Sequence, residues 1–391
     1  MTDTDRVVVV GAGIAGASAA DHLARGTDAE VLVLERGTEP ADETTARSGA
    51  FVGFWGHESA ACVPLLRYGI RYYGRLLSAA GTTARFVHGG RLRLATTAAG
   101  DDAIRTAFES DFDRTLREST ASATATKGAP VQYLSGETLD ETLVLPGLAT
   151  DTVTGALYSP GVGYVDDPAA LARAVLDRAR ESGATVETNT TVTGLQTEGG
   201  RVTGVRTTDG RRRADAVVAA AGPWNRRLLD TAGVTLPVRN TRGPMLALDT
   251  DEHGLPALYH EESGVYTRQN RDGSLFVGHF PGQYDDASVL DPDAIGDDVQ
   301  DARHERSLDV IRRLCPGTRG ASVVDEWVGV RTVTPDGDPI LGPTDVDGLS
   351  VLAFNANGIQ YAPAAGRLVA AEVGGFDPGF PTAGVAFDRL R

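Results

Sequence analysis

The 391-residue chain is predicted to adopt an α/β (α+β) fold with two domains, and three observations predict it. The first residues read as a strand, a glycine-rich turn, a helix and a second strand. The region from Val234 to Val324 instead consists of short segments that alternate apolar and polar residues, such as PMLALD and SLFVGH, which indicates an antiparallel sheet. The length is sufficient for two hydrophobic cores.

Charge and composition narrow the classes of partner. The net charge of −16 argues against nucleic acid or an anionic membrane surface. Lys127 is the only lysine among 37 basic residues, and Asp outnumbers Glu. A surface so rich in short carboxylates predicts a halophilic source, because salt screens the self-repulsion of the charges. A GC-rich genome would explain the missing lysines but not the acidity.

The sequence predicts a soluble protein. No apolar run reaches bilayer length, and the N-terminus lacks a basic region followed by an apolar signal core. We therefore expect a cytoplasmic location, with peripheral membrane contact as an alternative. Two cysteines, Cys62 and Cys315, provide neither a disulfide framework nor a metal site and are interpreted as structural thiols. The histidines considered as metal ligands lack a suitable spacing; they are His57, His88, His260 and His279.

The N-terminal turn predicts a dinucleotide site. Gly11, Gly13 and Gly16 fit GxGxxG directly after four valines, as in a Rossmann-like domain. The amides at the start of the next helix would face the pyrophosphate. Glu35 ends the second strand, where an acid binds a ribose hydroxyl and repels the 2′-phosphate of NADP; NAD and FAD both remain open. The cofactor contacts predicted here are Gly11, Gly13, Ile14, Ala15, Gly16, Glu35 and Arg36.

The next segment supplies a family resemblance. The stretch TTARSGAFVGFW from Thr44 resembles the T-T-x-R-S-x-G/A stretch of the FAD-dependent amine and D-amino-acid oxidoreductases, the family of sarcosine oxidase, glycine oxidase and D-amino-acid dehydrogenases. In that family the stretch wraps the pyrophosphate and reaches the flavin. The resemblance therefore implies that Thr45, Arg47 and Ser48 contact FAD. A solvated polar loop is the alternative interpretation of this segment alone.

The resemblance extends along the whole chain. The segment from Gly163 resembles the family's turn, helix and strand, with Asp167 able to cap the helix and Pro168 at its first position. Further on, short strands linked by glycine-rich turns lead to the buried strand in AVVAAAG. The resemblance places Val192 beside the adenine and Gly222 against the cofactor.

The C-terminal segment completes the cofactor site that the resemblance implies. In GLSVLAFNANGIQYAPAAGRLVAAEV, a strand and a glycine loop precede a helix whose positive end can stabilise a reduced flavin. Gly358, Ile359 and Gln360 form a GIQ that is most similar to the D-arginine type of D-amino-acid dehydrogenase. Asn357 is a candidate residue of the substrate pocket.

The family's architecture implies a discontinuous arrangement. A Rossmann-like FAD-binding domain is expected from residues 1–85, 145–230 and 325–391, and an inserted antiparallel-sheet substrate domain from residues 86–144 and 231–324. Within the inserted part, residues 119–130 are of low complexity and predict a surface loop. A core-facing helix is indicated by the spacing of Ile104, Phe108, Phe112 and Leu116.

Arg331 is the principal candidate for substrate binding. Its neighbours in EWVGVRTVTPDGDPILG are apolar and β-branched, which predicts a strand, so the guanidinium must face solvent or an anion. The family's dehydrogenases carry G-x-R-[ST] here, and GVRT matches it, so the resemblance implies that Arg331 holds the substrate carboxylate with two hydrogen bonds. It also implies that Arg331 contacts the cofactor, since its strand lies beside the flavin, and that Tyr266 hydrogen-bonds the same carboxylate. A structural salt bridge and an ordinary half-buried tyrosine are the alternatives.

Three further pocket positions follow from the resemblance. Arg242 lies near a second arginine of the family. Trp55 falls roughly where a dehydrogenase relative has a tyrosine, and Phe51 replaces a histidine. These departures leave the identity of the substrate open.

Two other departures concern the flavin. Gly329 stands where sarcosine oxidases have the cysteine that binds flavin covalently, so FAD is expected to be bound non-covalently. Phe276 stands where those oxidases have the lysine that activates oxygen, and Lys127 falls in a predicted loop. A dehydrogenase that passes electrons to a quinone or a carrier protein is therefore favoured.

The resemblance implies an FAD-dependent oxidoreductase that acts on CH–NH2 or CH–NH donors. The expected reaction is oxidative deamination of a D-amino acid by hydride transfer, which gives an imino acid and then a 2-oxo acid and ammonia. Sarcosine, glycine, proline and 2-hydroxy acids remain alternative substrates. A flavin-binding subunit or redox sensor without turnover is the alternative from another class.

Overall fold

The computed structural model describes residues 4–55, 58–78, 82–109, 131–280, 284, 291–296, 298–299 and 301–390. The strands are β1 (Arg6–Val10), β2 (Glu30–Leu34), β3 (Phe51–Val52), β4 (Phe86–His88), β5 (Arg91–Ala95), β6 (Gln132–Ser135), β7 (Gly155–Ser159), β8 (Gly163–Val165), β9 (Thr185–Glu187), β10 (Val192–Glu198), β11 (Arg201–Thr207), β12 (Gly210–Arg213), β13 (Ala216–Ala219), β14 (Arg239–Asp249), β15 (Leu258–His260), β16 (Val265–Gln269), β17 (Leu275–His279), β18 (Ser322–Val333), β19 (Ile340–Pro343) and β20 (Leu349–Ala353). The α-helices are α1 (Ile14–Gly26), α2 (Cys62–Ser78), α3 (Ala98–Glu109), α4 (Gly136–Thr142), α5 (Pro168–Glu181), α6 (Asn225–Asp230), α7 (Asp301–Leu314) and α8 (Gly358–Gly374).

A six-stranded sheet carries the N-terminal glycine turn. Its strand order is β19-β20-β13-β1-β2-β9, and every pair is parallel except β19 with β20 at the edge. Because side chains alternate along a strand, Val7 and Val9 pack with helices α1, α5 and α8, whereas Val8 and Val10 face the other core. The predicted order of strand, turn, helix and strand is confirmed.

An eight-stranded sheet forms the other half of the molecule. Its order is β18-β14-β17-β16-β15-β5-β7-β6, and every pair is antiparallel except β15 with β5. Leu308 and Ile311 of α7 pack against Leu246 and Val277 on one face. The predicted antiparallel sheet is therefore present, with one parallel pair that joins its two chain segments. The α/β (α+β) fold class is confirmed.

Two strands of the eight-stranded sheet come from chain segments that the sequence assigned to the FAD-binding domain. Strand β7 lies within the 145–230 segment, yet it pairs with β5 and β6 of the eight-stranded sheet. Most of β18 follows residue 325 and pairs with β14. Pairing between distant segments decides which sheet a strand joins, and a local pattern does not contain that information. The two-domain division with those boundaries stays a proposal.

Several local predictions have a structural counterpart. The Asp167 carboxylate accepts a hydrogen bond from the amide of Ala170 at 2.8 Å, and Pro168 is the first residue of α5. Ile104 is buried and Phe108 packs against its cluster. The other positions of that predicted helix, Phe112 and Leu116, and the loop 119–130 with Lys127 lie outside the described residues.

Both cysteines are buried free thiols. Burial raises the pKa of Cys62 and of Cys315 to about 12, so neither is ionised near neutral pH. This agrees with their interpretation as structural residues. None of the described helices has the length and apolar character needed to cross a membrane.

His22 is buried between α1 and α2. Its Nδ1 donates to the carbonyl of Ser18 at 2.7 Å, so the neutral ring carries its proton there and Nε2 accepts from the Tyr68 hydroxyl at 2.9 Å. Burial lowers the pKa of His22 from 6.5 to about 4. The folded protein therefore holds this ring neutral at pH values where the unfolded chain is protonated.

We expect His22 to make folding stability depend on pH. Its contribution is fully present above pH 6.5 and is lost as the pH falls towards 4, because only the unfolded state binds the proton in that window. The loss amounts to about 3 kcal/mol at most. Urea unfolding at pH 7 and pH 4.5 checks this with His22→Gln, which should lose less stability than the wild type. The exposed residue His88 supplies the control variant, His88→Gln. If His22→Gln loses as much stability between pH 7 and pH 4.5 as the wild type and His88→Gln, the assignment to His22 is wrong.

Candidate active site

A cavity of about 490 Å³ lies where the carboxyl ends of β1, β2, β13 and β20 face the eight-stranded sheet. Ligands bind at this edge in open parallel sheets. Most of the predicted site residues line it. They are Gly11, Gly13, Ile14, Ala15, Glu35, Arg36, Thr45, Arg47, Ser48, Phe51, Trp55, Val192, Gly222, Tyr266, Arg331, Asn357, Gly358 and Ile359.

The glycine turn has no room for side chains. Gly11 has φ +101°, and a Cβ there would lie 2.7 Å from the carbonyl oxygen of Ala220. A Cβ on Gly16 would lie 1.8 Å from the carbonyl oxygen of Gly11, although Gly16 itself does not line the cavity. Gly13 precedes the first residue of α1. The turn therefore brings bare backbone and a helix N-terminus to the cavity wall.

Glu35 connects the turn to the second strand. One carboxylate oxygen accepts from the amide of Ala12 at 2.8 Å, and the other accepts from the amide of Gly37 at 2.8 Å. Each oxygen keeps a second lone pair, so binding a ribose hydroxyl remains possible. The carboxylate also holds the glycine turn in place, a role that the sequence pattern did not reveal.

Arg36 forms part of the cavity wall. Its guanidinium lies 3.8 Å from the ring centroid of Trp224 and forms ion pairs with Glu43 at 2.7 Å and Asp293 at 3.0 Å. Its charge is thus taken up by two carboxylates, which fixes the side chain.

Buried polar atoms at the cavity fit the polar groups of FAD. Ser48 Oγ and Asn357 Oδ1 are buried without a hydrogen-bond partner, and both residues line the cavity. Thr45 Oγ1 accepts from the amide of Ile14 at 3.1 Å and lies 3.1 Å from the position of a Cβ on Gly13. The bare glycine turn and these polar groups fit a pyrophosphate and a flavin ring.

Arg331 lies on strand β18, as predicted, and projects towards the cavity. Its Nη1 donates to the carbonyl of His279 at 2.5 Å, and its Nη2 donates to the Tyr266 hydroxyl at 3.1 Å. A Cβ on Gly243 would lie 2.5 Å from Arg331 Nε, so only glycine lets the side chain cross the neighbouring strand. The remaining N–H groups of the guanidinium can bind an anion.

Tyr266 lies beside Arg331 and faces Phe51. Its hydroxyl donates to Met245 Sδ at 3.0 Å and accepts from Arg331. A Cβ on Gly278 would lie 2.2 Å from the tyrosine ring, so this glycine makes space for the ring. Phe51 meets Tyr266 edge-on, with centroids 6.0 Å apart. The structure thus brings together two residues that are far apart in sequence, although their role stays a proposal.

Three predicted residues do not line the cavity: Gly16, Arg242 and Gln360. Arg242 donates to the carbonyl of Asp298 instead. Thr241 is directly opposite Arg331 on the paired strand, so the alternation of side chains sends Arg242 to the other face. Gln360 is buried within α8, with its Oε1 unpaired.

Gly329 and Phe276, the two positions at which the sequence departs from the sarcosine oxidases, differ in whether they line the cavity. Gly329 lines the cavity, and its Cβ position is 3.5 Å from the carbonyl oxygen of Arg47. Phe276 does not line the cavity and packs on Trp327, with centroids 5.1 Å apart. Non-covalent flavin and a non-oxygen acceptor stay predictions.

Arg91 is prominent among the cavity residues that the sequence did not reveal. Arg91, at the start of β5, is buried and lines the cavity near Phe51 and Trp55. Around Arg331 and Tyr266, the described lining contains no carboxylate or histidine. No general base is therefore apparent there among the described residues.

The histidines have structural surroundings. His260 lies within hydrogen-bonding distance of Ser263 and Thr96, and His88 is exposed. Burial lowers the pKa of the His279 ring to about 4. Among the described residues, no group of three histidine, cysteine or acidic side chains could hold a metal ion, and His57 lies outside them.

Comparisons with known sequences agree with this geometry. A family model described as "FAD dependent oxidoreductase" matches residues 6–372. Glycine oxidase of Pseudomonas aeruginosa is 29% identical over 385 residues, covering 96% of this chain and 96% of that protein. D-amino acid dehydrogenase of Sinorhizobium medicae is 27% identical, covering 88% of this chain and 89% of that protein. Human mitochondrial dimethylglycine dehydrogenase is 29% identical over 87% of this chain, which spans only 39% of that protein.

Solved structures share the fold. Glycine oxidase from Geobacillus kaustophilus superposes with a TM-score of 0.82 at 26% identity, and the match covers 99% of both chains. L-proline dehydrogenase from P. horikoshii superposes with a TM-score of 0.81 at 21% identity, covering 100% of this chain and 98% of the other. At that lower identity the similarity shows the fold alone.

Proposed function

Because the chain belongs to the FAD-dependent oxidoreductase family, whose model matches residues 6–372, we propose that it oxidises the carbon–nitrogen bond of a D-amino acid. Similar proteins named glycine oxidase and D-amino acid dehydrogenase support an amino-acid substrate. We further propose that FAD is bound non-covalently and that the electron acceptor is a quinone or a carrier protein.

One observation carries the proposal: Arg331 and Tyr266 stand together on the wall of the cavity whose other wall is the glycine turn. A planar guanidinium matches the two oxygens of a carboxylate, and the tyrosine hydroxyl can add a third hydrogen bond. Side chains that fix the carboxylate also fix the α-carbon next to it. Substrate orientation is therefore the main contribution of these two residues.

When bound, FAD supplies the two-electron acceptor that takes the α-hydrogen as a hydride. The amine must lose a proton as well, because its nitrogen lone pair forms the C=N bond. Since the described lining near Arg331 holds no carboxylate or histidine, the amine is expected to give that proton to solvent. Water then converts the imino acid to a 2-oxo acid and ammonia.

The proposed acceptor rests on the composition. Lys127 is the only lysine of the chain, and it lies outside the described residues. Phe276 stands at the position that the resemblance assigns to the lysine of the oxidases, and none of the described cavity residues is a lysine. The excess of 53 acidic over 37 basic residues further supports a protein that functions in high salt.

An anaerobic absorbance titration of the holoenzyme in high salt tests the proposal. We expect D-amino acids to bleach the flavin band, whereas L-amino acids, sarcosine and 2-hydroxy acids should not. Reduced enzyme should then react faster with a quinone analogue than with oxygen. A yellow protein that no amine reduces would contradict catalysis, and rapid reoxidation by oxygen would contradict the proposed acceptor.

A further inference from the structure

Arg91 is a buried cation that no described carboxylate neutralises directly. Its side chain lies 4.3 Å from the ring centroid of Trp55 and 5.2 Å from that of Tyr259. It is 4% exposed, its Nε has no hydrogen-bond partner, and no described carboxylate lies within ion-pair distance of it. The acid that acts on its charge, Glu58, instead accepts a hydrogen bond from the amide of Trp55 at 2.6 Å.

Such a group is costly unless it binds an anion. Burial lowers the pKa of Arg91 to about 10, so the guanidinium is still protonated at neutral pH. Aromatic faces stabilise the charge of a guanidinium but leave its N–H groups unpaired. A carboxylate supplies both the charge and the acceptors.

Burial alone does not distinguish Arg91. Arg268 is equally buried, lies 4.2 Å from the ring of Tyr164 and 4.7 Å from that of Phe276, and also has an unpaired Nε. However, Arg268 donates to Asn270 and does not line the cavity. Arg91 differs because its unpaired donor belongs to a residue that lines the substrate side of the cavity.

Arg91 and Arg331 lie on either side of an aromatic pair. Phe51 and Tyr266 have centroids 6.0 Å apart; Arg91 is 5.7 Å from the first ring and Arg331 is 5.8 Å from the second. Burial raises the pKa of Tyr259, and the positive charges of Arg91, Arg93 and Arg331 oppose that rise. The cavity therefore presents two cations to one ligand.

We propose that Arg91 binds a second carboxylate of the substrate, so that the substrate class is amino dicarboxylic acids. The inference rests on the proposed function for its first carboxylate, which Arg331 holds. The second carboxylate is carried on the side chain, as in D-aspartate or D-glutamate. Its pairing with the planar guanidinium of Arg91 would be bidentate, like that of the first carboxylate with Arg331.

Binding of unreactive acids to the holoenzyme tests the proposal by calorimetry. The probes are malonate, succinate and glutarate, compared with acetate, propionate and butyrate. We expect the best dicarboxylate to bind at least about 30-fold more tightly than its monocarboxylate, the lower end of the effect of a buried charge pair. Arg91→Met should abolish that preference, and Arg91→Lys should retain part of it. Arg268→Met is the matched control and should keep the preference.

Equal binding of both acid types by the wild type, or an undiminished preference in Arg91→Met, would overturn the proposal. Equal binding by the wild type overturns the proposal even if Arg91→Met does not fold, and the partial preference expected of Arg91→Lys then tests the assignment to Arg91. Flavin bleaching by D-aspartate or D-glutamate in preference to neutral D-amino acids would support the second anchor. Reduction only by neutral amino acids would overturn the second anchor but leave the proposed function. Selective dicarboxylate binding without flavin reduction by any amine would support the second anchor but overturn the proposed function.

Discussion

Arg331→Met is expected to raise the KM for the amino-acid substrate by roughly 30-fold to several thousandfold while FAD stays bound. Removing one partner of a buried, hydrogen-bonded charge pair costs about 2–5 kcal/mol, and about 1.4 kcal/mol corresponds to tenfold in affinity. The Arg331 guanidinium touches Tyr266 and the His279 carbonyl but no part of the glycine turn, so cofactor binding should persist. Steady-state kinetics and the flavin absorbance of the purified variant measure the two effects separately.

A neighbouring arginine provides the control. Arg242 lies on the adjacent strand but does not line the cavity, so Arg242→Met should retain a near wild-type KM.

Gly243→Ala places a Cβ 2.5 Å from Arg331 Nε and should displace the guanidinium without removing it. A wild-type KM in Arg331→Met would remove the carboxylate assignment, and Arg331→Lys should recover only part of the affinity because an ammonium lacks the planar fork.

Gly16→Ala is expected to lose FAD binding and about 3 kcal/mol of folding stability, the upper end for overpacking a close contact. The added Cβ would lie 1.8 Å from the carbonyl oxygen of Gly11, so α1 must move away from the turn that carries the cofactor. Backbone cannot yield as a flexible side chain can. The ratio of flavin to protein absorbance and the urea midpoint report the two losses.

Gly74→Ala is the matched glycine variant. Gly74 is also within a helix, α2, but no heavy atom lies within 4 Å of its Cβ position. Alanine there should stabilise the protein by about 0.5–1 kcal/mol, because it favours the helix and meets no obstacle. Wild-type flavin content and stability in Gly16→Ala would show that α1 does not need to contact the turn this closely.

The elements predicted best are those whose signal is local. The first strand, glycine turn and helix depend on contacts among Gly11, Gly13 and Gly16, which are neighbours in sequence. The strand around Arg331 follows from its own β-branched neighbours. Arg242 shows the limit of such reasoning: its position near a family arginine is a matter of sequence, whereas the face it occupies depends on register with β18.

The features that sequence reasoning missed depend on distant partners. Arg91 resembles any strand arginine until the fold encloses it with Trp55 and Tyr259. Gly243 and Gly278 read as ordinary strand glycines, yet they make room for Arg331 and Tyr266. An arginine between apolar residues on a predicted strand was the signal used for Arg331. In RLRLA that signal belongs to Arg93, which pairs with Glu261, whereas Arg91 follows two glycines at the start of the strand and carries no such signal.

The pairing of β1 has a consequence for synthesis of the chain. Val7 through Val10 pair on one side with β2, which is made soon afterwards, but on the other side with Ala216 through Ala219. At the usual pace of translation, roughly 5–20 residues per second, the second partner emerges about 10–40 s later. During that interval four consecutive valines present an unpaired strand edge, the kind of surface that holding chaperones shield. The part of the cofactor site formed by the N-terminal segment therefore cannot bind FAD until the C-terminal segments have been synthesised.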